Sequence, residues 1–192
     1  MEREGMVGVL MERASVREYT EQEPTRETVE AVVRAGQQAP FAAQLGSLLL
    51  RRDRERNPFG APLLFTVCAD VHRLERVLER RGWTRITSDA AVLLFAIQDA
   101  AYMAENLVIA GEILGLGSCY LGGAAFAAEE IRADYGLPPR VFPFVQLAMG
   151  YPASRPRPRP RDPRAVTHHE ARDRPPRPAA LARARAPLVH PP

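Results

Sequence analysis

The apolar residues of the chain recur at helical spacing in some segments and form short uninterrupted runs in others. Helical spacing predicts helices over Met6–Glu12, from the capping residue Thr25 to a point before Pro40, over Val71–Leu78, and over Ala127–Tyr135. Apolar runs bounded by charge, glycine or proline predict buried strands over Leu48–Leu50, Leu63–Cys68, Leu116–Leu121 and Phe144–Met149.

The most apolar predicted helix runs from Asp99 to Leu114. One stripe along it consists mostly of small residues: Ala101, Ala104, Val108, Gly111 and Gly115. Small residues allow another helix to approach closely, so we expect this stripe at the centre of the fold or in a dimer interface. The pattern leaves open whether residues 89–98 continue this helix or form a separate element. Because helices and strands alternate irregularly without repeats, an α+β sandwich is favoured over a doubly wound sheet.

Composition narrows the class of protein further. A chain of 192 residues suits one domain. Its longest apolar run, Ala90–Ile97, is far shorter than the ~20 residues that span a bilayer, and the N-terminus does not resemble a signal peptide. We therefore expect a cytoplasmic protein with no membrane association. Cys68 and Cys119 lack CxxC spacing, which favours buried free thiols and gives no reason to predict a metal site.

The basic residues limit the chemistry, because all 26 of them are arginine. Without lysine there is no Schiff-base chemistry, no pyridoxal phosphate enzyme and no Walker A loop. Any bound phosphate must be held by guanidinium groups, hydroxyls and backbone amides.

Charge and proline are concentrated near the end of the chain. Residues 155–192 contain 10 of the 26 arginines, 10 of the 18 prolines and only 3 of the 23 acidic residues. We predict a folded domain over 1–164 and an Arg/Pro/Ala-rich tail over 165–192, either disordered or wrapped on a partner subunit. Arginine-rich tails can bind nucleic acid, but this tail has no interleaved aromatics, so we do not expect such a partner.

Two short segments contain candidate ligand-binding residues. Arg13-Ala14-Ser15-Val16-Arg17 is either a solvated helix end or a phosphate site built from two guanidinium groups and a hydroxyl. The glycine-rich segment from Gly115 to Gly123 fails as a dinucleotide fingerprint, because a helix precedes it and the glycine spacing is wrong. It is either a helix cap followed by a tight turn, or a place where backbone amides can approach a planar ligand.

The order of these segments resembles the FMN-dependent nitroreductase family over nearly the whole predicted domain. The matching stretches are Arg13–Arg17, Gln38-Ala39-Pro40, Gln98-Asp99-Ala100 with Glu105-Asn106-Leu107, Leu114–Cys119, Leu121-Gly122-Gly123 and Met149-Gly150-Tyr151-Pro152. The resemblance implies a three-layer sandwich with a central, mostly antiparallel mixed sheet flanked by helices. It also implies a homodimer with the long Asp99 helix in the interface and two FMN sites between the subunits.

The same resemblance assigns roles to individual residues. Arg13, Ser15 and Arg17 match the positions that hold the FMN phosphate, and Arg159 and Arg161 match a later basic pair that reaches it again. Gly122 matches the position whose backbone amide approaches flavin N5; Leu121 and Gly123 flank it.

One segment departs from the family pattern. After Pro40 and Phe41, Gln44 stands where family members commonly have asparagine, and Gly46 and Leu48 replace a glutamine and a tryptophan. Contacts to the pyrimidine edge of the flavin are therefore expected to differ. Phe41 either lines the cofactor site or belongs to the core.

The resemblance implies an FMN-dependent oxidoreductase that passes hydride from NADH or NADPH to a small acceptor such as a nitroaromatic or a quinone. Flavin-borne chemistry needs no side-chain nucleophile, which agrees with the absence of a Ser/His/Asp or paired-carboxylate constellation. The alternatives are a flavin-binding protein with weak or no turnover, and a specialised member: a dehydrogenase of a peptide-derived substrate, a dehalogenase or a flavin-breakdown enzyme.

Overall fold

A computed structural model describes residues 3–162 and 164–168 of the chain. Its elements, in chain order, are α1 Arg3–Glu12, α2 Arg26–Gln37, β1 Gly46–Arg51, β2 Leu63–Asp70, α3 His72–Arg81, α4 Asp89–Ile113, β3 Gly117–Leu121, α5 Ala128–Tyr135, β4 Val141–Gly150 and α6 Arg164–Thr167. Short 3₁₀ turns lie at Pro58–Gly60 and Gly122–Ala125.

The four strands form one antiparallel sheet in the order β1-β2-β4-β3. Because side chains alternate across a strand, Phe65, Val67 and Leu147 face one side of the sheet, where they pack with residues of α2 and α4. Leu64, Cys119 and Ala148 face the other side, together with Ala61 and the ring of Tyr19. The predicted α+β class and antiparallel sheet are confirmed; the parallel component is an isolated bridge between Ser15 and Ser118.

Helix α4 is continuous over 25 residues, so residues 89–98 extend the predicted Asp99 helix. Ser88 caps its start by accepting a hydrogen bond from Ala91 N at 3.3 Å. No glycine or proline interrupts the sequence before Gly111, which explains why the helix does not break. By length and composition alone α4 could cross a membrane. Its buried residues instead pack on α2 and the sheet, as expected for the core helix of a folded domain.

The middle of the small-residue stripe of α4 lies at the centre of the fold, which is the first of the two places expected for it. Ala104 and Val108 are 1% and 0% exposed, because they pack against the sheet of their own chain. The exposed apolar residues of α4 lie elsewhere on the helix: Leu93, Leu94, Phe95, Tyr102 and Ile113. An interface formed by α4 would therefore have to use this outer face.

The predicted helix cap and free cysteines are confirmed, whereas two element boundaries differ from the prediction. Thr25 caps α2 as predicted, accepting from Thr28 N at 3.2 Å. Cys68 and Cys119 are free and buried, and burial raises the pKa of the Cys68 thiol to about 12. Helix α1 and strand β4 both begin three residues before the predicted positions, at Arg3 and Val141.

The backbone contacts divide the chain into two compact units, Met1–Arg157 and Pro158–Pro192. The predicted tail over 165–192 lies largely outside the described residues, and its boundary at 164 stays a prediction. The candidate site below belongs to the first unit, and Arg159 and Arg161 belong to the second.

Candidate flavin site

The segment Arg13–Tyr19 is held along strand β3. Val16 N donates to Ser118 O at 2.9 Å, and the Val16 side chain is 2% exposed. A Cβ at Gly117 would lie 2.5 Å from Val16 Cγ2, so only glycine permits this approach. The Tyr19 hydroxyl lies 2.9 Å from Val16 O and 3.2 Å from Ala148 O. We call residues 13–17 the arginine arm; these contacts fix its backbone beside β3.

Arg13 is partly buried in a polar cluster between the arm and the end of α4. Its Nη1 atom is buried and has no hydrogen-bond partner among the described residues. Its positive charge acts on the carboxyl of Glu112 and on the phenol of Tyr120. An unpaired buried guanidinium N–H is costly unless a ligand or water satisfies it, so Arg13 is suited to binding an anion.

Glu112 is the buried carboxylate of this cluster, with a side chain that is 4% exposed. Burial raises the pKa of Glu112, and the nearby charges of Arg155 and Arg13 oppose that shift. Arg155 Nη1 donates to Glu112 Oε2 at 3.0 Å, whereas Glu112 Oε1 has no partner among the residues described. The carboxylate therefore joins the end of α4 to the segment that follows β4.

Arg17 lies at the other end of the arm and is exposed. Its guanidinium carbon lies 5.8 Å from the centroid of the Phe59 ring, within range of a cation–π contact. No hydrogen bond or ion pair to another described side chain occupies it. Its donors are therefore available to a phosphate.

Strand β3 ends at Leu121 and leads into the glycine pair Gly122-Gly123. Leu121 is half-buried and packs with Cys119 and Ala148, whereas both glycines are exposed. A Cβ built on either glycine would meet no described atom within 4 Å. The glycines therefore leave open space beside the backbone, as a planar ligand lying on that backbone requires.

Residues 40–44 occupy a different place. Pro40, Phe41 and Gln44 are exposed, and Phe41 is 55% exposed, which excludes it from the core of this chain. They line an open cleft of about 480 Å³ together with Gly46, Arg73 and Met103.

Two charged side chains hold this loop through hydrogen bonds to its backbone. The buried Asp99 carboxylate accepts from Ala42 N at 2.7 Å, Ala43 N at 3.2 Å and Leu45 N at 2.9 Å. Arg73 Nη2 donates to the carbonyl oxygens of Gln44 and Gly46. Gln44 is held at φ 52°, a left-handed conformation that is uncommon for a non-glycine residue.

The sheet separates these two groups of predicted site residues. The arginine arm and the glycine pair lie at the β3 edge, whereas Pro40–Gln44 leads into β1 at the opposite edge. At the usual spacing of ~4.8 Å between strands, the two edge strands are about 14 Å apart. The chain thus brings Arg13, Ser15, Arg17 and Gly122-Gly123 to one edge, and Pro40, Phe41 and Gln44 to the other.

Arg159 and Arg161 belong to the second unit. Both are exposed, and Arg161 Nη1 donates to Arg159 O at 2.9 Å. Their predicted role toward phosphate stays a prediction.

Sequence reasoning missed Asp99, Arg73, Glu112 and Phe59 as residues of functional segments. Asp99 belongs to one of the stretches that match the family, and an acidic residue within an apolar helix is also a signal for a buried hydrogen-bonding role. Glu112 gives the same signal in the same helix. Arg73 and Phe59 have no comparable signal, because their contacts depend on the packing of distant segments.

Comparison with known proteins agrees with this geometry. The model of the nitroreductase family matches residues 48–151. A Cr(VI) reductase from Pseudomonas sp. strain G-1 is 31% identical over 176 residues, covering 84% of this chain and 72% of the relative. The chain belongs to the nitroreductase family.

A second relative and a solved structure support the same family. An FMN reductase (NADPH) from Bacillus subtilis is 27% identical over 180 residues, covering 85% of this chain and 72% of that protein. The solved structure of the NfrA1 nitroreductase from B. subtilis has a TM-score of 0.81 at 27% identity, covering 87% of this chain and 74% of its own. This nitroreductase-family chain spans about three quarters of the length of these three relatives.

Proposed function

We propose that this protein is an FMN-dependent oxidoreductase that takes hydride from NADH or NADPH and passes it to a small acceptor such as a nitroaromatic or a quinone. Membership of the nitroreductase family supports the reaction type. Similar proteins named FMN reductase (NADPH), Cr(VI) reductase and oxygen-insensitive NADPH nitroreductase support FMN as cofactor and a reduced nicotinamide as donor.

The observation that carries the proposal is the junction of the arginine arm with strand β3. It places two arginines and a serine beside a strand that ends in two uncovered glycines. The donor set suits FMN, which is a phosphate dianion joined to a planar ring system. The buried, unpaired Nη1 of Arg13 and the free guanidinium of Arg17 are charged donors for phosphate. The space at Gly122-Gly123 accommodates a flat ring.

The protein groups then bind and orient the cofactor. Arg13, Ser15 and Arg17 would hold the phosphate. The Gly122 backbone amide would be a hydrogen-bond donor to the flavin ring, with Leu121 and Gly123 on either side. When bound, the flavin supplies the hydride chemistry, which explains why the site needs no side-chain nucleophile or acid–base pair.

A homodimer completes the site in this proposal. Pro40, Phe41 and Gln44 lie at the edge of the sheet opposite to the arm, and a second copy of the chain would bring them to the flavin that the arm holds. The exposed apolar residues of α4, among them Leu94 and Tyr102, provide a surface for the pairing. A cytoplasmic location stays a prediction.

A flavin-binding protein with weak turnover is the second candidate, because of the altered loop. Gln44 replaces the family asparagine, and its side chain makes no hydrogen bond to another described residue. Affinity for FMN and reduction of the bound flavin by a nicotinamide separate the two candidates.

The test begins with the colour of the purified protein and its titration with FMN. We expect a yellow protein whose bound flavin is bleached by NADH or NADPH under anaerobic conditions. Arg13→Ala and Arg17→Ala should each weaken FMN binding by roughly ten- to a hundredfold, because each removes a charge-assisted bond to phosphate.

Arg26→Ala is the matched control. Arg26 forms an exposed pair with Glu30 on the surface of α2, so its loss should leave FMN affinity unchanged. Unchanged affinity in both arm variants would contradict the phosphate assignment. Bound FMN that no nicotinamide reduces would favour the binding protein over the enzyme.

A further inference from the structure

Phe59 has a backbone conformation that is unfavourable for an aromatic residue. Its φ is 62° and its ψ is 17°, in the left-handed region. Bulky residues are genuine outliers there, and such strain persists only where the surrounding structure imposes it. Gly60, the next residue, has the same φ without strain because it lacks a Cβ. A glycine at position 59 would fit the same turn.

Burial does not explain why a phenylalanine stands here. The side chain is 45% exposed and belongs to none of the apolar clusters of the described residues. Its ring faces the guanidinium of Arg17, whose carbon lies 5.8 Å from the ring centroid.

The loop around Phe59 is held firmly, so the ring is presented in one place. Arg54 donates to Gly60 O at 3.1 Å and to Thr20 O at 2.8 Å. The buried Asn57 donates to Ala61 O at 2.8 Å and accepts from Arg51 Nε at 2.8 Å. These contacts tie the loop to its own strand and to the segment that follows the arginine arm.

Arg17, in contrast, would be a free side chain without the ring. It is exposed and has no hydrogen bond or ion pair with another described side chain. A flexible arginine loses rotamer freedom when it binds a ligand, and a planar ring packed against the guanidinium reduces that loss in advance.

We propose that Phe59 is a positioning residue for Arg17, whose ring orients the guanidinium toward the anionic part of the cofactor. This inference rests on the proposed function, since Arg17 is one of the assigned phosphate donors. In this view the strained backbone of Phe59 is retained because it presents the ring to Arg17.

The experiment measures the dissociation constant of FMN by flavin fluorescence, and thermal unfolding by circular dichroism, for four variants and the parent. Phe59→Gly should weaken FMN binding by about two- to tenfold. It should not lower the melting temperature, because glycine adopts this φ without strain. Phe59→Trp retains an aromatic face and should bind FMN like the parent.

The remaining variants test whether Phe59 acts through Arg17. In Arg17→Ala, adding Phe59→Gly should cause no further loss, because the group that the ring positions is already absent. A full additional loss would mean that the ring contacts the ligand directly, and would overturn the positioning role. So would parent-like affinity in Phe59→Gly, or a melting temperature that falls along with the affinity. A parent that does not bind FMN would contradict the proposed function itself.

Discussion

A substitution of Asp99 tests what holds the loop of residues 40–45, which lines the cleft, in its conformation. Its buried carboxylate accepts three backbone N–H groups from residues 42, 43 and 45. Replacing it with alanine removes all three bonds. Ala42 and Ala43 are exposed, so water can take over two of the donors, whereas Leu45 is 2% exposed and its N–H would be left unpaired.

The exposure of these N–H groups determines how much the free energy of unfolding decreases. Hydrogen bonds to charged groups contribute about 1.5–3 kcal/mol each, and a buried unpaired donor costs about 1–3 kcal/mol. Because water compensates the two exposed donors, we expect Asp99→Ala to lower the free energy of unfolding by about 2–4 kcal/mol. Asp99→Asn retains one acceptor oxygen and should lose less.

Urea denaturation followed by circular dichroism measures this difference. Asp134→Ala is the control: the Asp134 carboxylate pairs with Arg56 at 3.4 Å on the surface and is 43% exposed, so its loss should cost less than about 1 kcal/mol. The reasoning is refuted if Asp99→Ala is no less stable than this control. The loosened loop should also weaken FMN binding in Asp99→Ala, which titration would detect.

Three further predictions concern charge, assembly and the altered loop. Burial raises the pKa of Glu112, so the contribution of this group to the stability of the parent should be fully present below the ordinary pKa of 4.5 and should be lost as pH rises through the raised pKa. Glu112→Gln should lack this decrease, and parallel urea midpoints between about pH 4 and about pH 8 would contradict it. Tyr102→Arg, on the exposed face of α4, should give a folded monomer by light scattering. Val108→Arg should unfold the chain, because Val108 is 0% exposed. A folded dimer of Val108→Arg would contradict this assignment of the two faces. Gln44→Ala should weaken FMN binding by about fivefold, which is the usual value of one hydrogen bond. Gln44→Asn should bind FMN at least as well as the parent, because asparagine tolerates a positive φ. Equal affinities of the parent and both variants in a fluorescence titration would show that Gln44 is not part of the site.

The sequence by itself determined the elements and the family. Apolar periodicity and boundary residues are local properties, so they located all four strands and the cap at Thr25. The order of short motifs from Arg13 to Pro152 identified the family, because each motif consists of neighbouring residues and is visible without knowledge of the fold.

Only the tertiary structure decided which residues meet. The face of α4 that is buried depends on the sheet beneath it, which is why Val108 lies in the core while Tyr102 is exposed. Asp99 binds a loop 54 to 57 residues earlier in the chain, and Arg17 meets Phe59 across a comparable gap. Such contacts follow from strand order and packing, and no local pattern encodes them. For the same reason, the separation of Pro40–Gln44 from the arginine arm became visible only when the sheet order placed β1 and β3 at opposite edges.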